Sequence, residues 1–149
     1  MDPLSREAFE YWLADMDDAL ERFMSTLPDT VRSQLDYSIA SLDVLEDWIL
    51  EKYASNSAMR EPTESRIVDG LARYVGETLR KNIGGHWDIE LENKKDVYYG
   101  MPQLTGFSPT PTPECPLRLV TTAASRRTGN FMSTILENMK RRYGTQKKM

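Results

Sequence analysis

The chain has 149 residues, 40% hydrophobic and 28% charged, which suits one globular domain with a single core. A lone cysteine, Cys115, excludes a disulfide-stapled scaffold, and no stretch approaches the ~18 consecutive apolar residues of a membrane-crossing helix. Residues 1–64 carry 5 basic and 15 acidic side chains, whereas 65–149 carry 14 basic and 8 acidic ones; such polarity points to a partner-binding surface or to two halves that attract each other.

In chain order, Phe9, Trp12, Leu13, Met16, Leu20, Phe23, Met24 and Leu27 recur with a period near 3.6, predicting one long amphipathic helix that Pro28 closes. Glu7, Asp15, Asp18 and Glu21 fall on its opposite face. A second helix is expected after Ser38, whose hydroxyl can cap it, with Tyr37 and Leu42 at the positions of a hydrophobic staple. Its apolar face is Leu42, Leu45, Trp48, Ile49 and Tyr53. A third helix over about 64–82 presents Ile67, Val68, Leu71, Tyr74, Val75, Thr78 and Leu79 on one face, with Arg66, Asp69, Arg73 and Arg80 away from it. Gly84-Gly85 ends it, because glycine enters the left-handed region at no steric cost.

The period then changes to two, since Trp87, Ile89 and Leu91 alternate with His86, Asp88, Glu90 and Glu92, as in a half-buried strand. Asn93–Asp96 suits a turn, and residues 97–104 read as a second strand with an edge or bulge at Pro102. Pro109, Pro111, Pro113 and Pro116 make 108–116 an extended loop. Residues 117–122 read as a third strand, and a last helix over about 129–143 turns Phe131, Met132, Ile135, Leu136, Met139 and Tyr143 inward. The expected fold is one α+β domain. Residues 1–85 are mostly helical, 86–122 hold a small antiparallel three-stranded sheet, 123–143 supply a helix packed on that sheet, and 144–149 form a basic tail. Trp12, Trp48, Leu71, Trp87 and Ile135 are expected in one shared core.

Two stretches are suggestive together. One is Leu35-Asp36-Tyr37-Ser38 with Ser41, Leu42 and Leu45; the other is Tyr74-Val75-Gly76-Glu77 with Gly84-Gly85-His86-Trp87. The pairing resembles a diffuse group of small bacterial proteins of uncharacterised function. The resemblance implies a bacterial, cytosolic, helix-rich α+β domain and brings no catalytic or binding residues with it. The acidic start, Met1-Asp2-Pro3-Leu4-Ser5-Arg6-Glu7, lacks a small-residue cleavage site, so no secretion signal is expected and a cytoplasmic location is.

Candidate chemistry is sparse. Gly76 lies on the polar side of its helix, where a glycine implies close approach of another backbone, and Glu77 at the stripe's edge can pair with Arg80. His86, Asp88 and Glu90 share a strand face, but alternation alone explains them, no second histidine exists, and neither a metal nor any other cofactor is expected. Cys115 has no neighbour in sequence that would activate it, and no nucleophile elbow, phosphate loop or dinucleotide fingerprint appears. The stretch Ser125-Arg126-Arg127-Thr128-Gly129-Asn130 places two cations and hydroxyls at a helix start, the pattern of an anion site or of an ordinary helix cap.

The leading expectation is a non-enzymatic bacterial interaction protein that binds a protein partner, immunity-like or accessory, through Asp15, Asp18 and Glu21. The alternative is a small anionic-ligand-binding domain or cryptic enzyme using Glu77, Arg126, Arg127 and Thr128. A weaker alternative is nucleic-acid binding through Lys140, Arg141, Arg142, Lys147 and Lys148, disfavoured by the overall acidity. No membrane association is expected, and oligomeric state is left open.

Overall fold

Ser65–Asn82 (α6) is the axis of the molecule in the computed structural model, which describes residues 4–109 and 112–144. The expectations for Met1–Pro3, Thr110-Pro111 and the tail from Thr145 lie outside the described residues. α6 is buried almost all round from Val68 to Leu79. Gly70, Ala72 and Gly76 make this possible, since small residues let neighbours approach on a second side. A β-carbon at Gly70 would collide with the Phe23 ring, and one at Gly76 with the Trp87 ring. The close approach expected at Gly76 is real, but an indole makes it rather than a backbone.

The long first helix is in fact two, Arg6–Ala14 (α1) and Met16–Ser25 (α2), hinged at Asp15. Ser5 caps α1 by accepting the Ala8 N–H at 3.0 Å. At the hinge, the Arg73 guanidinium donates to the Trp12 carbonyl at 2.9 Å. An unbroken helix would hold that acceptor for Met16, and a side chain entering the ladder there bends the chain. The bend lets Phe9, Trp12, Met16, Leu20 and Phe23 all stay buried.

After a short turn of helix at Asp29–Arg32 (α3), Ser41–Lys52 (α4) begins as expected, with the Ser38 hydroxyl accepting the Ser41 N–H at 3.1 Å. Tyr37 stacks on Tyr74, ring centroids 4.6 Å apart, rather than serving mainly as a staple. Asn56–Met59 (α5) and a 3-10 turn at Pro62–Glu64 lead into α6.

The sheet has two strands, not three: His86–Asp88 (β1) and Gln103–Thr105 (β2), antiparallel, with Trp87 opposite Leu104. β1 stops at Asp88 because carboxylates downstream take the backbone donors: Asp88 accepts from Ile89, and Glu90 from Glu92 and Asn93. Turns anchored by Asn93 and Asp96 occupy the region expected to begin the second strand. A third strand is replaced by one bridge, in which Leu104 and Glu114 exchange both backbone bonds. It cannot lengthen, because prolines 113 and 116 flank it and lack N–H groups.

Residues 117–122 belong to a helix, Pro116–Arg126 (α7). Val120-Thr121-Thr122 suggested a strand, but Pro116 at the first helical position and Leu119, Val120, Ala123 and Ala124 at helical spacing prevail. Phe131–Tyr143 (α8) packs on α4 and α7, not on the sheet, which sits against α6. The class remains α+β, with eight α-helices among the described residues. Trp12, Leu71 and Trp87 are core residues, whereas Trp48 and Ile135 are half-buried at its edge. None of the helices in the described residues is long and apolar enough to cross a membrane.

Candidate functional site

Asp69, Arg73, Glu77 and Arg80 recur along one side of α6, and two tryptophans close over them. The Trp12 indole N–H donates to Asp69 Oδ1 at 2.8 Å, and Arg73 Nε donates to Asp69 Oδ2 at 2.7 Å. The Arg73 guanidinium also lies 4.2 Å over the Trp12 ring. One further along, the Trp87 indole N–H donates to Glu77 Oε2 at 2.8 Å, while Arg80 reaches both Glu77 oxygens at 3.0 Å. The two indoles meet edge to face, centroids 4.8 Å apart. Arg73, expected on a solvent face, is therefore buried, and Glu77 pairs with Arg80 as its sequence position suggested.

A cleft of about 280 Å³ opens beside the second unit, lined by Leu13, Met16, Glu77, Arg80, His86 and Trp87. Both Glu77 oxygens accept hydrogen bonds, so the carboxylate holds Trp87 and Arg80 in place. The arrangement ties α1 and β1 to α6.

Arg126, Arg127 and Thr128 do not meet Glu77 through any shared partner. Arg127 adopts the left-handed conformation at the end of α7, φ 57°. Its guanidinium donates to the carbonyls of Leu50, Tyr53 and Ala124 at 2.8, 2.9 and 3.2 Å, so it closes the C-terminal ends of both α4 and α7. Arg126 lies over the Phe131 ring at 5.2 Å, and Thr128 is exposed. The α8 N-terminus beyond them is occupied. Glu46, fully buried on α4, accepts the Phe131 and Met132 N–H groups at 2.9 and 3.0 Å. Asp43 receives the Ser133 hydroxyl at 2.5 Å. Sequence reasoning passed over Glu46, although its position inside the stripe Leu42, Leu45, Ile49, Tyr53 was the available signal.

The carboxylates of α1 and α2 differ in kind. Asp15 pairs with Arg22 at 2.6 Å. Glu7, Glu10, Asp17, Asp18 and Glu21 are exposed and have no ionic partner among the described residues. Among them on α1 stands Tyr11, 71% exposed. Among the described residues, no carboxylate of 1–64 forms an ion pair with a cation of 65–149.

The remaining candidates are dispersed. Asp88 lies 3.5 Å from Arg6, and backbone donors from Asn93 and Glu92 hold the Glu90 carboxyl below its usual range. β1 ends at Asp88, and the described residues hold no cluster of three potential metal ligands. Cys115 is buried, and that burial pushes its thiol up, away from the reactive thiolate. Lys140, Arg141 and Arg142 are exposed on the last turns of α8. No family model matches the chain, nor does any curated protein or solved structure, and the resemblance to small bacterial proteins stays an expectation.

Proposed function

We propose that the protein is a non-catalytic interaction module whose α1–α2 surface docks a basic protein partner, in the manner of an immunity-like or accessory factor. One observation carries the reading: Glu7, Glu10, Asp17, Asp18 and Glu21 on α1 and α2 are exposed without an ionic partner among the described residues, and Tyr11 of α1 is exposed as well. An exposed tyrosine gives a rigid anchor, and unpaired charge accelerates encounter with a partner of opposite sign. Direct ion pairing between the halves does not account for this acidity, since among the described residues no carboxylate of 1–64 meets a cation of 65–149. Asp15 leaves the partner-binding set because Arg22 neutralises it, and Glu7, Glu10, Tyr11 and Asp17 join it.

The test is affinity capture followed by association kinetics with the purified captured protein at two salt concentrations. The Asp17→Asn, Asp18→Asn, Glu21→Gln variant associates more slowly, with flatter salt dependence, and Tyr11→Ala dissociates faster. Wild-type kinetics for both variants would remove this surface from the function.

A further inference from the structure

A groove lies between the α5–3-10 segment and α7, lined by no residue of α1 or α2. It has a volume of about 490 Å³, within the range of small-molecule sites. Its apolar lining is Met59, Pro62, Val68 and Leu117, of which Met59 and Val68 are buried. Arg60 and Arg118 line it from the two opposing elements, and neither has an ionic partner among the described residues. Arg60 is oriented by the neutral Asn56 side chain at 3.1 Å, and Asn56 in turn bonds Ser125 of α7 at 2.5 Å, which ties the two walls together.

Two guanidiniums offset by the single carboxylate of Glu61 leave the groove one positive charge in excess. That excess matches a monoanion, whereas a phosphate dianion would be left undercompensated. The apolar side chains that line the groove with the cations are unsuited to a bare ion and suited to a hydrocarbon or aryl body. We infer that this groove binds a small carboxylate with an apolar body, its carboxylate held by Arg60 and Arg118 and its apolar part over Met59, Val68 and Leu117. Guanidinium forks are well matched to carboxylates and bury little polar surface in holding them. This site replaces the Arg126–Arg127 loop as the place for anion chemistry, and it is independent of partner docking on α1–α2.

The experiment is calorimetric titration of the full-length protein with octanoate and 4-phenylbutyrate, set beside octanol and inorganic phosphate. The expected result is saturable binding of at least one carboxylate with one site per chain. Octanol and phosphate bind about tenfold more weakly or not at all, the scale of one lost charge-assisted contact. Arg118→Gln and Arg60→Gln, both at exposed positions, each weaken carboxylate binding without moving the melting temperature. Leu117→Ser weakens it from the apolar side. Failure of both carboxylates to bind, equal binding of octanol or phosphate, or unchanged carboxylate binding in the two arginine variants would overturn the inference.

Discussion

The α4–α8 contact and the outer face of α1–α2 are both rich in carboxylates, yet their carboxylates do opposite things. Glu46 is fully buried and closes the first turn of α8 with two backbone bonds. Asp17, Asp18 and Glu21 stand in water without an ionic partner among the described residues. The same formal charge is structural where it meets a helix N-terminus out of water, and available to a partner where it does not. Net charge along a sequence therefore conceals two populations, and burial separates them.

The sharpest way to break this comparison is Glu46→Ala. It strands two N–H groups in the core and removes a charge–dipole contact, so equilibrium urea unfolding shows a loss of about 3–5 kcal/mol. Glu46→Gln retains one acceptor and loses less. A Glu46→Ala midpoint equal to wild type would place Glu46 with the surface acids. Next in size is Gly76→Ala, which must displace Trp87 from α6 and with it the bond to Glu77; overpacking of this kind costs about 1–3 kcal/mol. A blue-shift or red-shift of tryptophan emission reports the displacement directly, and unaltered emission with unaltered stability would mean the indole packs elsewhere.

Arg127→Ala sharpens the comparison from the basic side. Arg127 is exposed over part of its length yet closes two helix ends, so the variant loses about 1 kcal/mol, the scale of net hydrogen bonds to a charged donor at a partly solvated site. Arg126→Ala, which removes only a ring contact, changes the midpoint less. Equal effects would put both arginines in one class.

Glu114 offers a pH test. Burial raises its carboxyl pKa in the folded state above the unfolded value. Folding is thus favoured by the protonated form. That advantage is full below the ordinary carboxylate range and disappears as pH rises through the raised value. Glu114→Gln should melt above wild type at neutral pH and converge with it in acid. Parallel melting curves across that window would show that the carboxyl is solvated.

The helices were the most legible part of the sequence, because the stripes of α4, α6 and α8 keep a 3.6 period against a single core. What periodicity could not register was action across the chain. Arg73 bends α1 from α2 by taking the Trp12 carbonyl, 61 residues away in sequence. Trp87 fills the space left by Gly76, and Glu46 caps a helix 85 residues downstream. The third strand was misread for a different reason: Val120-Thr121-Thr122 favours strand locally, while packing of Leu119, Val120 and Ala123 against α6 decides for helix. At the candidate sites, residue types were legible and occupancy was not. Arg127 and Asp15 looked free until their partners were seen, whereas Arg60 and Arg118 carried no motif at all.

The smallest expected effect lies on the acidic face itself, where carboxylates in the first turn of α2 and in its middle pull in opposite directions. Asp17 and Asp18 occupy the first turn of α2, so their charges oppose the helix dipole and each contributes about 0.3–1 kcal/mol at low salt. Glu21 follows Asp17 by four residues and Asp18 by three, and such like-charge pairs cost about 0.2–0.5 kcal/mol. Glu21→Gln should therefore raise the melting temperature slightly, while Asp18→Asn lowers it slightly. Both differences should shrink as salt is added, because exposed charges are screened. Thermal melts at low and high ionic strength decide the matter. If instead Glu21→Gln destabilised the protein as Glu46→Gln does, Glu21 would be serving the fold, and the surface proposed for partner docking would lose the charge that recommends it.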